Sequence, residues 1–404
     1  MKIVIAPDSF KETMSAATVA HTMSQAVRSV WPHADCVEVP VADGGEGTTD
    51  SLIDALGGTR EYVDTVDALG RPRTATYGWI PDQRLAVLEV AQAVGIEHIA
   101  PNERRPRQSG TAGVGLMLTQ ILTRQPRHLI IGLGGSATND GGWGMCHALG
   151  VRAYTGDNTP IDPYAPLDLT HATRIDTSHI DPAWADVTIT LACDVTNPLT
   201  GPTGATAVFG PQKGVQPKDI DAFDEALTQW GSLLDANDIA PVTTLPGAGA
   251  AGGLGAAFMG CLGATASPGV DTVLDAVNLD AHLSDADLVL TGEGSIDSQT
   301  RFGKTPWGVM QRARAHGIPT IAFAGNVAHD LDDLCDNGFT AIVPTVREVC
   351  DLPTALATAR ESLYESVAMM CQILNAASNV AGSGAVDSAE KPTGDVTLKG
   401  GRSC

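Results

Sequence analysis

The chain has few aromatic side chains, few basic residues and no long apolar run. Aromatic residues make up 4% of its 404 residues, which argues against an aromatic-rich β-sandwich. Lys and Arg number 25 against 47 Asp and Glu, and a net charge of −22 argues against nucleic acid or an anionic membrane as partner. No stretch approaches the ~18–20 apolar residues of a membrane helix.

Metal-binding and targeting motifs are also scarce. The eight cysteines contain no CxxC pair and the ten histidines form no HExxH motif, so neither a disulfide framework nor a zinc site is predicted. The N-terminal residues 1–8 hold too short an apolar run for a secretory signal. We therefore predict a cytoplasmic protein.

Glycine, by contrast, is abundant at 44 residues, and it is concentrated where predicted strands end. A chain of this length fits about two domains. In an open α/β sheet, the loops at the carboxyl ends of the strands bind ligands. Five Gly-rich or acidic loops follow buried strand patterns, and they span residues 7–12, 42–48, 132–142, 194–214 and 291–305. The pattern predicts an α/β protein whose loops converge on one site.

The loop at 132–142 is suited to an anion, because glycine amides at a helix start are unobstructed and the helix dipole favours negative charge. A simple tight turn is the alternative. Carboxylates in the other loops could hold Mg²⁺ or accept a hydroxyl proton, and scarce lysines could neutralise a migrating phosphoryl group. These residues are Asp43, Glu46, Asp194, Glu293, Asp297, Lys11, Lys213 and Lys304. Helix caps and loop-bracing hydrogen bonds are the alternative for each carboxylate.

Two motifs are misleading. Residues 247–252 match the dinucleotide pattern GxGxxG but follow no clear strand, and their Gly/Ala continuation to residue 263 predicts a closely packed helix instead. Residues 303–305 end like a phosphate-binding GKT loop, yet Ser298 occupies the position of the first glycine and Pro306 follows at once.

Taken together, the ordered motifs resemble the bacterial glycerate kinases that phosphorylate the 2-hydroxyl, over roughly residues 1–375. They include PDSFKE (7–12), ADGGEGT (42–48), GLGGSATNDGG (132–142), CDVTNPL (193–199), FGPQKG (209–214) and TGEGSIDSQT (291–300). The resemblance implies the ATP- and Mg²⁺-dependent conversion of D-glycerate to 2-phosphoglycerate. It also implies a Rossmann-like or flavodoxin-like parallel-sheet domain with a second α/β domain inserted and the active site in the cleft between them.

The resemblance places the first domain at residues 1–84 and 286–376 and the insert at 85–285. The composition of residues 377–404 predicts a disordered tail. We assign catalysis to Asp194, Asp297 and Lys11, and metal binding to Asp194, Glu293 and Asp297. The expected substrate and phosphate ligands are Ser9, Asp43, Glu46, Gly134, Gly135, Ser136, Thr138, Asn139, Asn197, Lys213 and Lys304.

Several alternatives remain open from the sequence. The product could be 3-phosphoglycerate, because both hydroxyls of a three-carbon acid lie close together, or the substrate could be a related sugar acid. An NAD(P)-linked hydroxy-acid dehydrogenase using the glycines at 247–252 is a further reading, and a non-catalytic sugar-acid sensor is another.

Overall fold

The computed structural model describes residues 1–45, 47–236, 241–329 and 331–383. The strands are β1 (Lys2–Ile5), β2 (Asp35–Glu38), β3 (Thr59–Val66), β4 (Pro72–Ile80), β5 (Leu85–Glu89), β6 (His128–Gly132), β7 (Arg152–Thr155), β8 (Ala172–Asp176), β9 (Thr188–Ala192), β10 (Thr265–Ser267), β11 (Leu288–Ile296), β12 (Thr320–Val327) and β13 (Ala341–Pro344). The helices are α1 (Ala16–Val30), α2 (Thr48–Leu56), α3 (Ala91–Val94), α4 (Ala112–Leu122), α5 (Trp143–Ala148), α6 (Ala205–Phe209), α7 (Ile220–Asp235), α8 (Ala250–Leu262), α9 (Gly269–Ala276), α10 (Leu279–Leu283), α11 (Thr305–Ala315), α12 (Asp332–Asp336), α13 (Leu352–Ala357) and α14 (Ala359–Ser383).

The chain divides into two compact units. The first contains residues 1–43 and the chain from Leu274 onward, and the second contains residues 44–273. The second unit is thus inserted into the first, as the resemblance implied. None of the helices within the described ranges combines the length and apolar character that a bilayer crossing requires.

The first unit contains a five-stranded sheet in the order β13-β12-β11-β1-β2, with every pair parallel. Counted within this unit, the order is that of a flavodoxin-like fold. Alternate residues of the central strands face opposite helical layers: Phe323 packs in a cluster with α1 and α14, whereas Ala322 packs with α11 and α12. The prediction of a flavodoxin-like parallel-sheet domain is therefore confirmed.

The second unit contains a six-stranded mixed sheet in the order β10-β9-β6-β5-β4-β3 and a separate β7-β8 pair. The strands from β10 to β5 are parallel, whereas β4 and β3 are antiparallel. Buried side chains such as Leu88, Ile131 and Leu191 form the core together with Trp143 and Trp230. The two indoles meet edge to face with ring centroids 5.4 Å apart.

The structural division differs from the boundaries expected near residues 85 and 285. Strands β3 and β4 belong to the second sheet, because Gly78 of β4 pairs with Val87 of β5 and the ladder continues to β6. Helix α10 belongs to the first unit, where Asp280 forms an ion pair with Arg312 of α11.

Three predicted segments also differ in detail. The strand expected at 37–41 is observed at Asp35–Glu38, since the remaining apolar residues form a buried loop. Helix α14 continues to Ser383, so residues 377–383 of the expected disordered tail are helical, and residues 384–404 lie outside the described residues. The helix expected from 247 to 263 contains left-handed backbone at Gly252 and its neighbours, where the chain turns before the regular helix begins.

Candidate active site

A group of polar side chains lies at the point where the strand order of the first sheet reverses, between β1 and β11. Ligands of open α/β sheets bind at such switch points, outside the carboxyl ends of the strands. The residues are Asp8 after β1, Glu293 within β11, Asp297 directly after it, and Lys304 and Thr305 at the start of α11. We call them the switch-point cluster.

Asp8 and Glu293 are two partly buried carboxylates, and the charge of Asp8 disfavours that of Glu293. Asp8 accepts hydrogen bonds from the Ser9 amide at 2.6 Å and from the Thr305 hydroxyl at 2.5 Å. Burial nevertheless raises the pKa of Asp8 to about 6, and the charge of Asp43 acts in the same direction. Burial likewise raises the pKa of Glu293 to about 7, with Asp8 adding to the effect. A bound cation would relieve both the desolvation and the repulsion.

Lys304 supplies part of the compensating charge. Its Nζ lies 3.4 Å from Glu293 Oε1 and 3.6 Å from Asp297 Oδ1, and it donates to the Ser295 carbonyl at 3.2 Å. The Thr300 hydroxyl donates to Glu293 Oε1 at 3.1 Å. The structure therefore brings together three residues predicted from the sequence, Glu293, Asp297 and Lys304, through the chain that links β11 to α11.

Asp8 and Thr305 were absent from the predicted site. The PDSFKE motif drew attention to Ser9 and Lys11, but the sequence alone does not show that the Asp8 carboxylate accepts a hydrogen bond from Thr305. Its position directly after a buried strand was the usable signal. Asp43 lies near enough to raise the pKa of Asp8, whereas Glu46 lies outside the described residues.

In the second unit, the loop between β6 and α5 is held from beneath by Asp140. This fully buried carboxylate accepts hydrogen bonds from the amide and hydroxyl of Thr111, both at 2.8 Å, and from the amides of Gly142 and Gly144. Burial raises its pKa. Asp140 is thus a brace that shapes the loop, a role that sequence reasoning did not assign.

Lys213 also holds the same loop in place. Its buried Nζ donates to the Ser136 hydroxyl at 2.9 Å and to the Thr138 carbonyl at 2.7 Å. Burial lowers its pKa to about 7, although the charge of Asp140 acts in the opposite direction. Near neutral pH the Lys213 amine is therefore partly charged and partly neutral, and it contacts the loop that is the candidate for anion binding.

A cavity of about 390 Å³ lies above this loop within the second unit. Its size is within the range of small-molecule sites. The predicted residues Gly134, Gly135, Ser136, Asp194 and Lys213 line it. We call it the glycine-loop cavity. The exposed Asp194 is held by the Gly269 amide, which donates to its Oδ1 at 2.9 Å.

Three other predicted ligands do not line the glycine-loop cavity. Thr138 and Asn139 are fully buried, and the Asn139 amide donates to the Thr206 hydroxyl at 2.9 Å. Asn197 donates to the Thr203 carbonyl at 2.8 Å. The geometry gives these residues loop-bracing contacts, and a direct role in substrate binding stays a prediction.

The glycines at 247–252 serve close packing, as expected. A Cβ added at Gly252 would lie 2.1 Å from the Thr138 carbonyl oxygen, and one at Gly255 would lie 2.0 Å from the Gly247 carbonyl oxygen. The Gly252 carbonyl in turn accepts a hydrogen bond from the Gly141 amide at 2.9 Å. This segment is occupied by contacts with the 132–142 loop, which argues against a dinucleotide there.

Gly252→Ala is therefore expected to destabilise the second unit by several kcal/mol. The backbone at Gly252 has φ +72°, which costs an alanine about 1 kcal/mol, and the steric overlap with Thr138 adds to that cost. Calorimetric unfolding measures the effect. Gly134→Ala is the matched control, because its Cβ would meet no atom within 4 Å. Equal unfolding temperatures for the two variants would contradict the packing role.

Lys213→Met is expected to flatten the pH dependence of stability. Because the pKa of Lys213 is lowered from 10.5 to about 7 on folding, the unfolded chain binds more protons between those values, and the wild-type free energy of unfolding rises with pH across that window. Between about pH 7 and about pH 9, the free energy of unfolding should rise by about 2 kcal/mol more for the wild type than for Lys213→Met. Lys218→Met, at an exposed position, should keep the wild-type slope. Parallel curves for wild type and Lys213→Met would contradict the burial of the amine.

Comparison with known proteins identifies the class to which this fold and these loops belong. Residues 3–375 match the model of the glycerate kinase family. A glycerate kinase of Halalkalibacterium halodurans is 43% identical over 91% of this chain and 96% of its own length. A glycerate 2-kinase of Escherichia coli is 40% identical over 90% of this chain and 95% of its own length.

A solved structure agrees with these relatives. A crystal structure described as that of a glycerate kinase 2 from Salmonella typhimurium LT2 superposes with a TM-score of 0.86 at 42% identity, covering 94% of this chain and 99% of the other. The chain belongs to the glycerate kinase family. It is accordingly an enzyme, a phosphotransferase, and the resemblance stated from the sequence motifs is confirmed.

Proposed function

We propose that this enzyme transfers the γ-phosphoryl group of ATP to the 2-hydroxyl of D-glycerate, giving 2-phosphoglycerate and ADP. Family membership supports the reaction class, and the E. coli relative is named a glycerate 2-kinase. The single structural observation that carries the proposal is the switch-point cluster. Two partly buried carboxylates, one of them paired with a lysine, lie at the carboxyl end of a parallel sheet and suit a cation bound to a polyphosphate.

In the proposed reaction, the glycerate hydroxyl oxygen forms a bond to the γ-phosphorus while the bond from that phosphorus to the β–γ bridging oxygen breaks. The hydroxyl proton passes to a carboxylate, for which Asp194 and Asp297 are the candidates. Lys304 and Lys11 would neutralise charge on the phosphate oxygens. In the second unit, the amides of Gly134 and Gly135 and the Ser136 hydroxyl would bind an anionic group of a substrate.

Mg²⁺ fits the residues of the switch-point cluster. Magnesium usually takes only one or two protein carboxylates and completes its shell with water and substrate phosphates. Within the described part of the chain, no group of three or more His, Cys, Asp or Glu side chains could hold a metal ion. Glu293 and Asp297 would hold the ion, whose charge offsets the negative charge that develops on the phosphoryl oxygens. The assignment of Asp194 as a further ligand stays a prediction, as does the location of the active site in an interdomain cleft.

A coupled assay for ADP tests the proposal. We expect ADP release to require both D-glycerate and Mg²⁺, and to stay at background with 3-hydroxypropionate, which has the 3-hydroxyl but lacks the proposed acceptor, the 2-hydroxyl group. ADP release at the same rate with and without glycerate would contradict glycerate as the acceptor. Binding of ATP and glycerate without turnover would instead favour the non-catalytic sensor.

A further inference from the structure

A second large cavity lies in the first unit, at the carboxyl ends of β11, β12 and β13. Its volume is about 520 Å³. Gly294, Gly325 and Thr345 form its floor at the strand ends, and α13 and the start of α14 form a wall. We call it the α13 cavity. A three-carbon acid would fill only a small part of it, so its size favours a larger ligand, within the range typical of cofactor-sized molecules.

The wall formed by α13 is apolar and exposed. Leu352 is 68% exposed and Val346 is 40% exposed, and both line the cavity together with Ala355 and Leu356. Leaving such side chains in water is unfavourable, and covering them with a ligand would stabilise the complex. A flat ring system with apolar faces, such as a purine base, suits this wall.

The lining continues along the start of α14 with oxygen atoms, and its charged side chains are Lys11, Arg347, Glu348, Glu361 and Glu365. Thr358, Glu361 and Ser362 at the start of α14 present hydroxyl and carboxylate groups that could bond the hydroxyls of a sugar. Lys11 also lines the cavity. It is exposed, and within the described residues it makes no ion pair, although acids outnumber bases in the chain.

The α13 cavity adjoins the switch-point cluster along two segments of the first unit. Glu293 belongs to the cluster and its neighbour Gly294 to the cavity floor. Asp8 belongs to the cluster, and Lys11, three residues later, to the cavity. A Cβ added at Gly294 would lie 3.6 Å from the Lys11 amide nitrogen, so the two segments run side by side. Successive residues of β11 face opposite sides of the sheet, so the Glu293 side chain points away from the side on which Gly294 lines the cavity. Phosphates of a nucleoside in the cavity would therefore reach the switch-point cluster around the strand ends, along the segment from Asp8 to Lys11.

We propose that the α13 cavity binds the adenosine part of ATP, with the base against Leu352 and Leu356, the ribose near Thr358 and Glu361, and Lys11 on the phosphate chain. This inference rests on the proposed kinase function and adds to it the site of the nucleoside. It assigns nucleotide binding to the first unit.

Two substitutions test the nucleoside site. Ala355→Trp would fill the cavity, and Leu352→Glu would place a negative charge on its apolar wall at an exposed position that the core does not need. We expect each to raise the KM for ATP by at least ~10-fold, with the KM for glycerate unchanged and kcat within about threefold. Ile373→Glu is the matched control, because Ile373 is 62% exposed on α14 and does not line the cavity.

Inhibition by adenosine and by inorganic tripolyphosphate tests the nucleoside contacts and the phosphate contacts separately. Adenosine should inhibit the wild type competitively with ATP and should lose that effect in Leu352→Glu by the same factor. Inorganic tripolyphosphate should inhibit the wild type and Leu352→Glu alike, since its contacts lie at Lys11 and the switch-point cluster.

The failure of this proposal differs from that of the kinase function. Glycerate-dependent ADP release with a wild-type KM for ATP in both variants would overturn the nucleoside site and leave the kinase function standing. The reverse result is that the variants weaken ATP binding, measured by calorimetry without glycerate, while no preparation phosphorylates glycerate. That result would support the cavity assignment and contradict the function. Circular dichroism verifies that Ala355→Trp is folded, and Leu352→Glu decides the question if it is not.

Discussion

Asp194→Asn is expected to lower kcat for glycerate phosphorylation by ~10²–10⁴-fold, the usual cost of removing a general base. The carboxylate is exposed on the glycine-loop cavity, and the Gly269 amide holds one of its oxygens. Asparagine can keep that hydrogen bond through its own carbonyl oxygen, so the variant changes charge and basicity with little change in shape. Steady-state kinetics with saturating ATP and Mg²⁺ measures the loss.

Asp82→Asn provides the matched control, because Asp82 is exposed in the turn between β4 and β5 and should leave kcat unchanged. If Asp194→Asn retains turnover within about threefold of wild type, the base is not Asp194, and Asp297→Asn becomes the deciding variant. If both variants keep wild-type turnover, the proposed placement of the base is wrong, whereas the assignment to the family is unaffected.

Glu293→Gln is expected to separate activity from stability. Removing one of two partly buried carboxylates should leave the free energy of unfolding equal to or above that of the wild type, since the charge of Glu293 is disfavoured by burial and by Asp8. The same change removes a proposed magnesium ligand. We therefore expect the half-saturating Mg²⁺ concentration to rise at least ~10-fold and kcat to fall.

The measurement is a Mg²⁺ titration of initial rates together with thermal unfolding in the absence of nucleotide. Glu225→Gln, at an exposed position on α7, is the control and should match the wild type in both. A variant that loses stability but keeps the wild-type Mg²⁺ dependence would assign Glu293 to structural support of Lys304 and Thr300, and would contradict its role as a ligand.

The sequence carried much of the fold because its buried strands are continuous apolar runs flanked by glycine. Strands β1 and β6 lie close to their predicted positions for this reason, whereas β11 continues to Ile296, so the first residues of the loop predicted at 291–305 belong to the strand. The alternating segments that became β3 and β4 were also recognised as strands. Their sheet was assigned wrongly, because periodicity shows that a strand has two faces and does not show which neighbour completes its hydrogen bonds.

Only some residues of the candidate site could be predicted from the sequence, and burial explains the difference. Glu293, Asp297 and Lys304 lie within twelve residues of one another, so one loop was enough to bring them together. Asp8 reaches Thr305 only because β1 and β11 are neighbours in the sheet, a pairing between residues 285 or more apart in sequence. Thr138 was predicted as a ligand within a glycine-rich motif and is fully buried, whereas Asp140 of the same motif was assigned no role and is buried as a support of the loop. The residue types of a loop indicate which chemistry it could perform, whereas only the packing of the folded chain shows which of its side chains face a ligand.

The most direct test of the central claim is a proton-coupled ³¹P NMR spectrum of the product formed from ATP, Mg²⁺ and D-glycerate. We expect the phosphate resonance to be a doublet, because a phosphate on the 2-hydroxyl couples to a single proton on its carbon. A triplet would show transfer to the 3-hydroxyl and contradict the proposed position, and the absence of any new ester resonance would contradict glycerate as the acceptor.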